Sequence, residues 1–158
     1  MLTAFERGNK AWDAGKPRVA FEIFKKAAMS GDKDTFGNLG YCYDVGKGVK
    51  RNFKKALFWY KKAVRSGAGA AASNIGTMYR DIANFQRARY WFKKAIDLRD
   101  GGAALELAKT YLHGINKNNK EKIEKYLIIA IKSKYISESE KEEAVAILEN
   151  LKRARRLG

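Results

Sequence analysis

The chain has 158 residues, 46% of them hydrophobic, and carries 33 Lys and Arg against 17 Asp and Glu, a formal charge of +16. That length suits one domain with a sizeable core and excludes a disulfide-stapled miniature; the charge repels further copies of the chain and attracts anionic partners. The single cysteine, Cys42, excludes an internal disulfide and any zinc site built from several cysteines, and it fits a reducing, cytoplasmic compartment.

The N-terminal stretch MLTAFERGNK has no apolar signal core, and the strongest apolar run, Tyr126 to Ile131, is far too short to span a bilayer. Neither secretion nor membrane insertion is expected. One proline in the whole chain, with abundant Ala, Lys and Leu, predicts helices almost throughout and hence an all-α protein.

The helices fall into repeating units. In the first, about residues 1–32, Gly8 lies mid-helix and is followed by Ala11, a turn at Gly15, and the tetrad Phe24-Lys25-Lys26-Ala27. The second, 33–68, has Asn38-Leu39-Gly40, then Tyr43, then Tyr60-Lys61-Lys62-Ala63. The third, 69–100, has Asn74-Ile75-Gly76, then Tyr79, then Phe92-Lys93-Lys94-Ala95, so the tetrad recurs after 36 and then 32 residues. Ala11 to Phe24 and Tyr79 to Phe92 span 13 residues but Tyr43 to Tyr60 spans 17, which places an insertion in the Asp44–Asn52 turn. Gly46 and Gly48 can take positive φ there, and Asn52 and Asn84 are placed to cap the helices that follow.

A fourth, degenerate unit covers 101–136, with Ala104, Leu107, Ala108 and Tyr111 on its first helix, a turn from Gly114 to Lys120, and Tyr126, Leu127, Ala130 and Ile131 on its second. Residues 137–156 open with Ser137-Glu138-Ser139-Glu140, a capping box, and continue with a stripe of Ala144, Ile147, Leu148 and Leu151. This segment is expected to cap the apolar end of the array. Gly8, Gly40, Gly76 and Ala108, with Ala20, Ala27, Ala56, Ala63, Ala88 and Ala95 on the second helices, allow close helix approach, and Phe24, Trp59, Tyr60, Trp91 and Phe92 fill the core.

The second unit carries Asn38-Leu39-Gly40 and Tyr43, the turn Gly46-Lys47-Gly48-Val49, then Ala56, Trp59-Tyr60, Lys62-Ala63 and a closing Gly67, with Phe36 in a leading alanine place. It closely resembles the Sel-one-like repeat, a relative of the tetratricopeptide repeat with a longer turn. The first and third units look more like plain tetratricopeptide repeats, and the resemblance covers about residues 1–133.

The resemblance implies a right-handed α/α superhelix of about four repeats plus a C-terminal capping helix, forming a single solenoid domain. It also implies a non-catalytic protein-interaction module whose first helices line a concave groove. By that analogy the groove residues are Asn9, Trp12, Asp13, Asn38, Tyr41, Asp44, Asn74, Thr77, Arg80, Asp81, Lys109 and His113. Some tetratricopeptide domains grip a free C-terminal carboxylate with two asparagines and several cations. Asn9 and Asn38 stand in matching places, but Phe5, Ala70 and Asn74 occupy the basic ones, so that clamp is not expected.

No pattern calls for catalysis, a metal or a cofactor. His113 is the one histidine and precedes Gly114 at a predicted helix end. Cys42 lies on a helix face without an adjacent base and reads as a packed or half-buried thiol. Gly46-Lys47-Gly48 lacks the remainder of a phosphate loop, and Glu138, Glu140, Glu142 and Glu143 suit a helix N-terminus.

From Val45 to Ile96 only Asp81 opposes thirteen cations, giving +12 of the total +16. They comprise Arg80 and a basic surface of Lys47, Lys50, Arg51, Lys54, Lys55, Lys61, Lys62, Arg65, Arg87, Arg89, Lys93 and Lys94, most of them expected to face outward from the second helices without interleaved aromatics. Two kinds of partner follow. One is another protein of acidic character, which the resemblance to repeat-family adaptors and bacterial immunity proteins implies is either a cognate toxin domain or the partner of a signalling adaptor or scaffold. The alternative is nucleic acid held by the basic convex face.

Overall fold

The computed structural model describes residues 1–113 and 117–156. Its elements are α1 (Ala4–Asp13), α2 (Pro17–Met29), a 3-10 turn (Lys33–Thr35), α3 (Phe36–Val45), α4 (Phe53–Arg65), α5 (Gly69–Asp81), α6 (Phe85–Asp97), α7 (Ala103–Leu112), α8 (Lys117–Lys132) and α9 (Glu138–Arg156). There is no strand among the described residues. The expected all-α class is therefore observed. Of the expected turn from Gly114 to Lys120, residues 114–116 lie outside the described residues, and α8 already begins at Lys117.

The helix ends follow from local chemistry. The backbone N–H of Lys55 donates to Asn52 Oδ1 at 2.9 Å and that of Arg87 to Asn84 Oδ1 at 3.2 Å, so both expected caps form. At α9 the Glu140 N–H donates to Ser137 Oγ and the Ser137 N–H to Glu140 Oε2, which closes the expected capping box. The side-chain and backbone hydrogen bonds from Ser137 hold the Glu140 carboxyl below its ordinary pKa. A second box, Thr3 with Glu6, starts α1 and escaped the sequence reading although its spacing is the same.

The chain divides into two compact units, Met1–Ile75 and Gly76–Gly158. Within the first, α1 packs on α2 and α3 on α4. Phe24, Leu39, Cys42, Ala56 and Tyr60 are fully buried there. The long turn of the second repeat is pressed against the start of α2. Gly48 sits at φ +79°, and a Cβ on it would lie 2.2 Å from the Pro17 carbonyl oxygen. Gly46, at φ +76°, ends α3 in the left-handed conformation.

Within the second unit α7 packs on both α6 and α8, and α9 on α8. Phe92, Leu107, Ile123, Leu127 and Ala144 are fully buried there. Ala108 stands in the glycine place of the degenerate repeat and is fully buried, and the Tyr111 and Tyr126 rings of that repeat stack (centroids 6.0 Å apart, planes 5° apart). After Phe24 in the first repeat the buried alanine is Ala28, with the tetrad's own Ala27 only half-buried. The turns after α2 and α4 use Gly31 and Gly67 at positive φ, but the corresponding residue after α6 is Arg99, held at φ +61°.

One contact recurs in three repeats. A Cβ on Gly8 would lie 2.1 Å from the Phe24 ring, one on Gly40 2.6 Å from Tyr60, and one on Gly76 2.7 Å from Phe92. Each first helix thus rests its glycine on the second-helix aromatic, and all three rings are fully buried. Gly40→Ala is expected to destabilise the chain by about 1–3 kcal/mol through overpacking. Gly37→Ala in the same helix, where a Cβ would meet nothing within 4 Å, is expected to stabilise it by about 0.5–1 kcal/mol. Urea unfolding of both variants checks the pair, and equal effects would refute the steric account.

Candidate functional site

In the N-terminal unit, α1, α3 and the first part of α5 bring Asn9, Trp12, Asp13, Asn38, Tyr41 and Asn74 around one pocket of about 690 Å³. Positions 9, 12 and 13 share one side of α1, as 38 and 41 do of α3, because residues three or four apart lie on the same helix face. Asn38 Nδ2 donates to Asn9 Oδ1 at 3.2 Å. The Trp12 and Tyr41 rings meet at 5.4 Å between centroids, tilted by 40°. Tyr41 is 42% exposed, so much of this aromatic wall is open to solvent.

The remaining lining residues, Asp34, Gly37, Ala68, Ala70 and Ala71, were not among the sequence candidates. Asp34 belongs to the 3-10 turn before α3, and the others contribute space instead of functional groups, so helix periodicity carried no signal for them. An adjacent hollow of about 660 Å³ includes Phe5, Glu6, Lys33 and Asp34. Phe5, which occupies one of the basic places of the carboxylate clamp, is 40% exposed there.

The other groove candidates lie elsewhere. Asp44 is half-buried and pairs with Arg51 at 3.8 Å. It and Asn74 flank the buried Tyr60 hydroxyl, whose pKa burial pushes far up. In the C-terminal unit Arg80 pairs with Glu106 and, at 3.9 Å, with Asp81. Lys109 bridges Glu106 at 3.1 Å and Glu143 at 2.7 Å. The two cations are thus neutralised within a network linking α5, α7 and α9. Thr77 is half-buried, and exposed His113 stacks on Phe85 at 4.9 Å.

The basic residues differ in how far they reach into solvent. Lys50, Arg51, Lys54, Lys61, Arg65, Lys93 and Lys94 are exposed. Lys55 and Arg87 are exposed but lie over Tyr43 and Tyr79. Lys47, grouped with the outward lysines by sequence, instead holds its Nζ 4.3 Å from the Trp12 ring centroid. Lys62 is half-buried among Phe36, Phe58 and Trp59, its Nζ between 4.8 and 5.4 Å from their centroids. Half-buried Arg89 packs over Tyr111 at 4.6 Å, with its Nε shielded from solvent.

The expectation that no aromatic interrupts this surface is also corrected: Phe58 is 53% exposed and Tyr90 63%. Each precedes a buried tetrad aromatic by two residues, a half-turn that carries it to the outer face.

Cys42 is fully buried, and burial raises its pKa to about 11, so it is a neutral thiol at pH 7. Among the described residues no group of three His, Cys, Asp or Glu could hold a metal ion, and no helix is long and apolar enough to cross a membrane.

The Sel1 repeat family model matches residues 10–32, 38–67 and 70–100. A curated relative, DAP3-binding cell death enhancer 1 of Rattus norvegicus, is 35% identical over 60 residues, which are 38% of this chain and 12% of that protein. A Sel1 repeat protein from Oxalobacter formigenes superposes with a TM-score of 0.72 at 23% identity, over 92% of this chain and 60% of its own. A protective antigen with an SLR fold from uropathogenic Escherichia coli superposes with a TM-score of 0.63 at 17% identity, over 96% and 38%. The chain therefore spans only part of each relative, and the two structural likenesses establish the solenoid fold.

The Lys109 network has a pH signature. Burial disfavours the lysine's charge, but hydrogen bonds to Glu143 and Glu106 outweigh that and raise its pKa. A raised lysine pKa adds stability that is complete below the ordinary value of about 10.4 and is lost as pH climbs through the folded value. Lys109→Met is expected to be less stable than the parent at pH 7, with the difference shrinking by pH 11. Urea melts at the two pH values check this, and a constant difference would refute it.

Proposed function

Because the chain belongs to the Sel1 repeat family, we propose that it is a non-catalytic binding module that holds a segment of a partner protein in the N-terminal groove pocket. The observation that carries this reading is the convergence of the Trp12–Tyr41 aromatic pair and the Asn9–Asn38 amide pair on one open cavity. Exposed aromatics beside fixed polar groups are the usual anchors of protein interfaces. The Rattus norvegicus relative is itself named for binding another protein.

In its most specific form the reading is a cytoplasmic immunity protein that occludes a cognate toxin domain; the exposed lysines would speed capture of an acidic partner. Tyr41→Ala is expected to weaken capture of the partner from source-cell extract by at least about tenfold, while Lys93→Glu leaves the equilibrium affinity within about threefold. Quantitative pull-down with both variants checks this. Loss of binding with Lys93→Glu alone would move the site to the basic surface.

A second reading is favoured by exposed Phe58 and Tyr90 among exposed lysines, since stacking aromatics within a cationic surface suit single-stranded nucleic acid. That reading expects oligonucleotide binding whose affinity falls steeply with salt. Filter binding from low to physiological salt tests it, and no retention at about 50 mM salt ends it.

A further inference from the structure

The N-terminal pocket is charged oppositely to the chain that carries it. Among the described residues no Lys or Arg is on its lining, and the two charged residues that are, Asp13 and Asp34, are both exposed carboxylates. The protein as a whole is +16. Trp12 and Tyr41 line the same pocket, and aromatic faces carry partial negative charge.

The chain itself sets a cation on one of these rings. Lys47 Nζ lies 4.3 Å from the Trp12 centroid, inside the range of about 6 Å for a cation–π contact. Lys47 is delivered there by the long turn of the second repeat, which Gly46 and Gly48 hold in positive φ. Its backbone is thus fixed while its exposed head can leave the ring.

We propose that the pocket selects a lysine or arginine side chain of the partner's bound segment. The cation docks on Trp12 and Tyr41 and is neutralised by Asp13 and Asp34, and Lys47 holds its place in the unbound protein until displaced. The inference rests on the groove reading above and names the chemistry that groove recognises. A partner carboxylate would instead face two carboxylates and the electron-rich ring faces, an arrangement that costs affinity. The pocket volume of about 690 Å³ lies within the usual range of ligand sites and accommodates a long side chain with its flanking backbone. The positive field of the rest of the chain disfavours a uniformly basic segment, so the cation recognised is an isolated one.

The test is titration of short acetylated, amidated Gly-Ser peptides carrying one central Arg, Lys, Gln or Glu, followed by amide chemical shifts of the pocket residues. The Arg and Lys peptides are expected to shift those resonances and to bind at least about tenfold more tightly than the Gln peptide, with the Glu peptide weakest. Asp34→Asn, at an exposed position that leaves the core untouched, is expected to lower Arg-peptide affinity about threefold or more, and Lys47→Ala to raise it about threefold.

Equal shifts from Arg, Gln and Glu peptides would overturn the cation preference and leave the groove as a binding site. An absence of pocket shifts with every peptide would also overturn it. In that case the groove reading stands or falls separately, on whether Tyr41→Ala still impairs capture of the intact partner.

Discussion

The contact between a first-helix glycine and a second-helix aromatic governs the rest of the structure. Gly8 lies on Phe24, Gly40 on Tyr60 and Gly76 on Phe92, each too closely for a Cβ. A ring of that size is fully buried only if the opposing helix presents no side chain, so the rotation of each first helix about its axis is set by where the glycine must point. Once Gly8 and Gly40 face their aromatics, Asn9, Trp12, Asn38 and Tyr41 are carried to the side, where they meet around the pocket. The binding surface is thus a by-product of core packing. In the degenerate repeat Ala108 takes the glycine's place and is fully buried.

Charge is divided by role. Seven of the outward cations are plainly exposed, whereas Lys62 and Arg89 lay their aliphatic stems and charged heads along aromatic rings and contribute packing as well as field. Arg80 and Lys109 are held by Glu106 and Glu143, so they tie helices together within the C-terminal unit. The pocket of the N-terminal unit carries two exposed carboxylates on its lining instead. Net charge therefore predicts how the molecule attracts a partner from a distance and says little about what the pocket prefers at contact.

Much of the architecture was readable in advance because the signals are local. The tetrads at 24, 60 and 92, the glycines at 8, 40 and 76, and the caps Asn52, Asn84 and Ser137 each follow from spacing along one helix or turn, and all appear where the spacing places them. The Thr3–Glu6 box was equally readable and was passed over. Six pocket residues were also accessible, because the repeat register assigns a face to every first-helix position. Asp34 was not, since it lies in a 3-10 turn outside that register.

The sequence by itself determined the helices, the repeat and the face each helix buries, since these depend on periodicity and on residues close along the chain. Tertiary structure decided which polar groups meet. It placed Lys47 on Trp12 by folding the inserted turn back against α2, joined Asn38 to Asn9, and set Lys109 between Glu106 and Glu143. The reason is one of range. Burial of a stripe is an average over many residues and tolerates error, whereas an ion pair or a cation on a ring depends on positions within about 1 Å of each other's reach, fixed only when distant segments have packed.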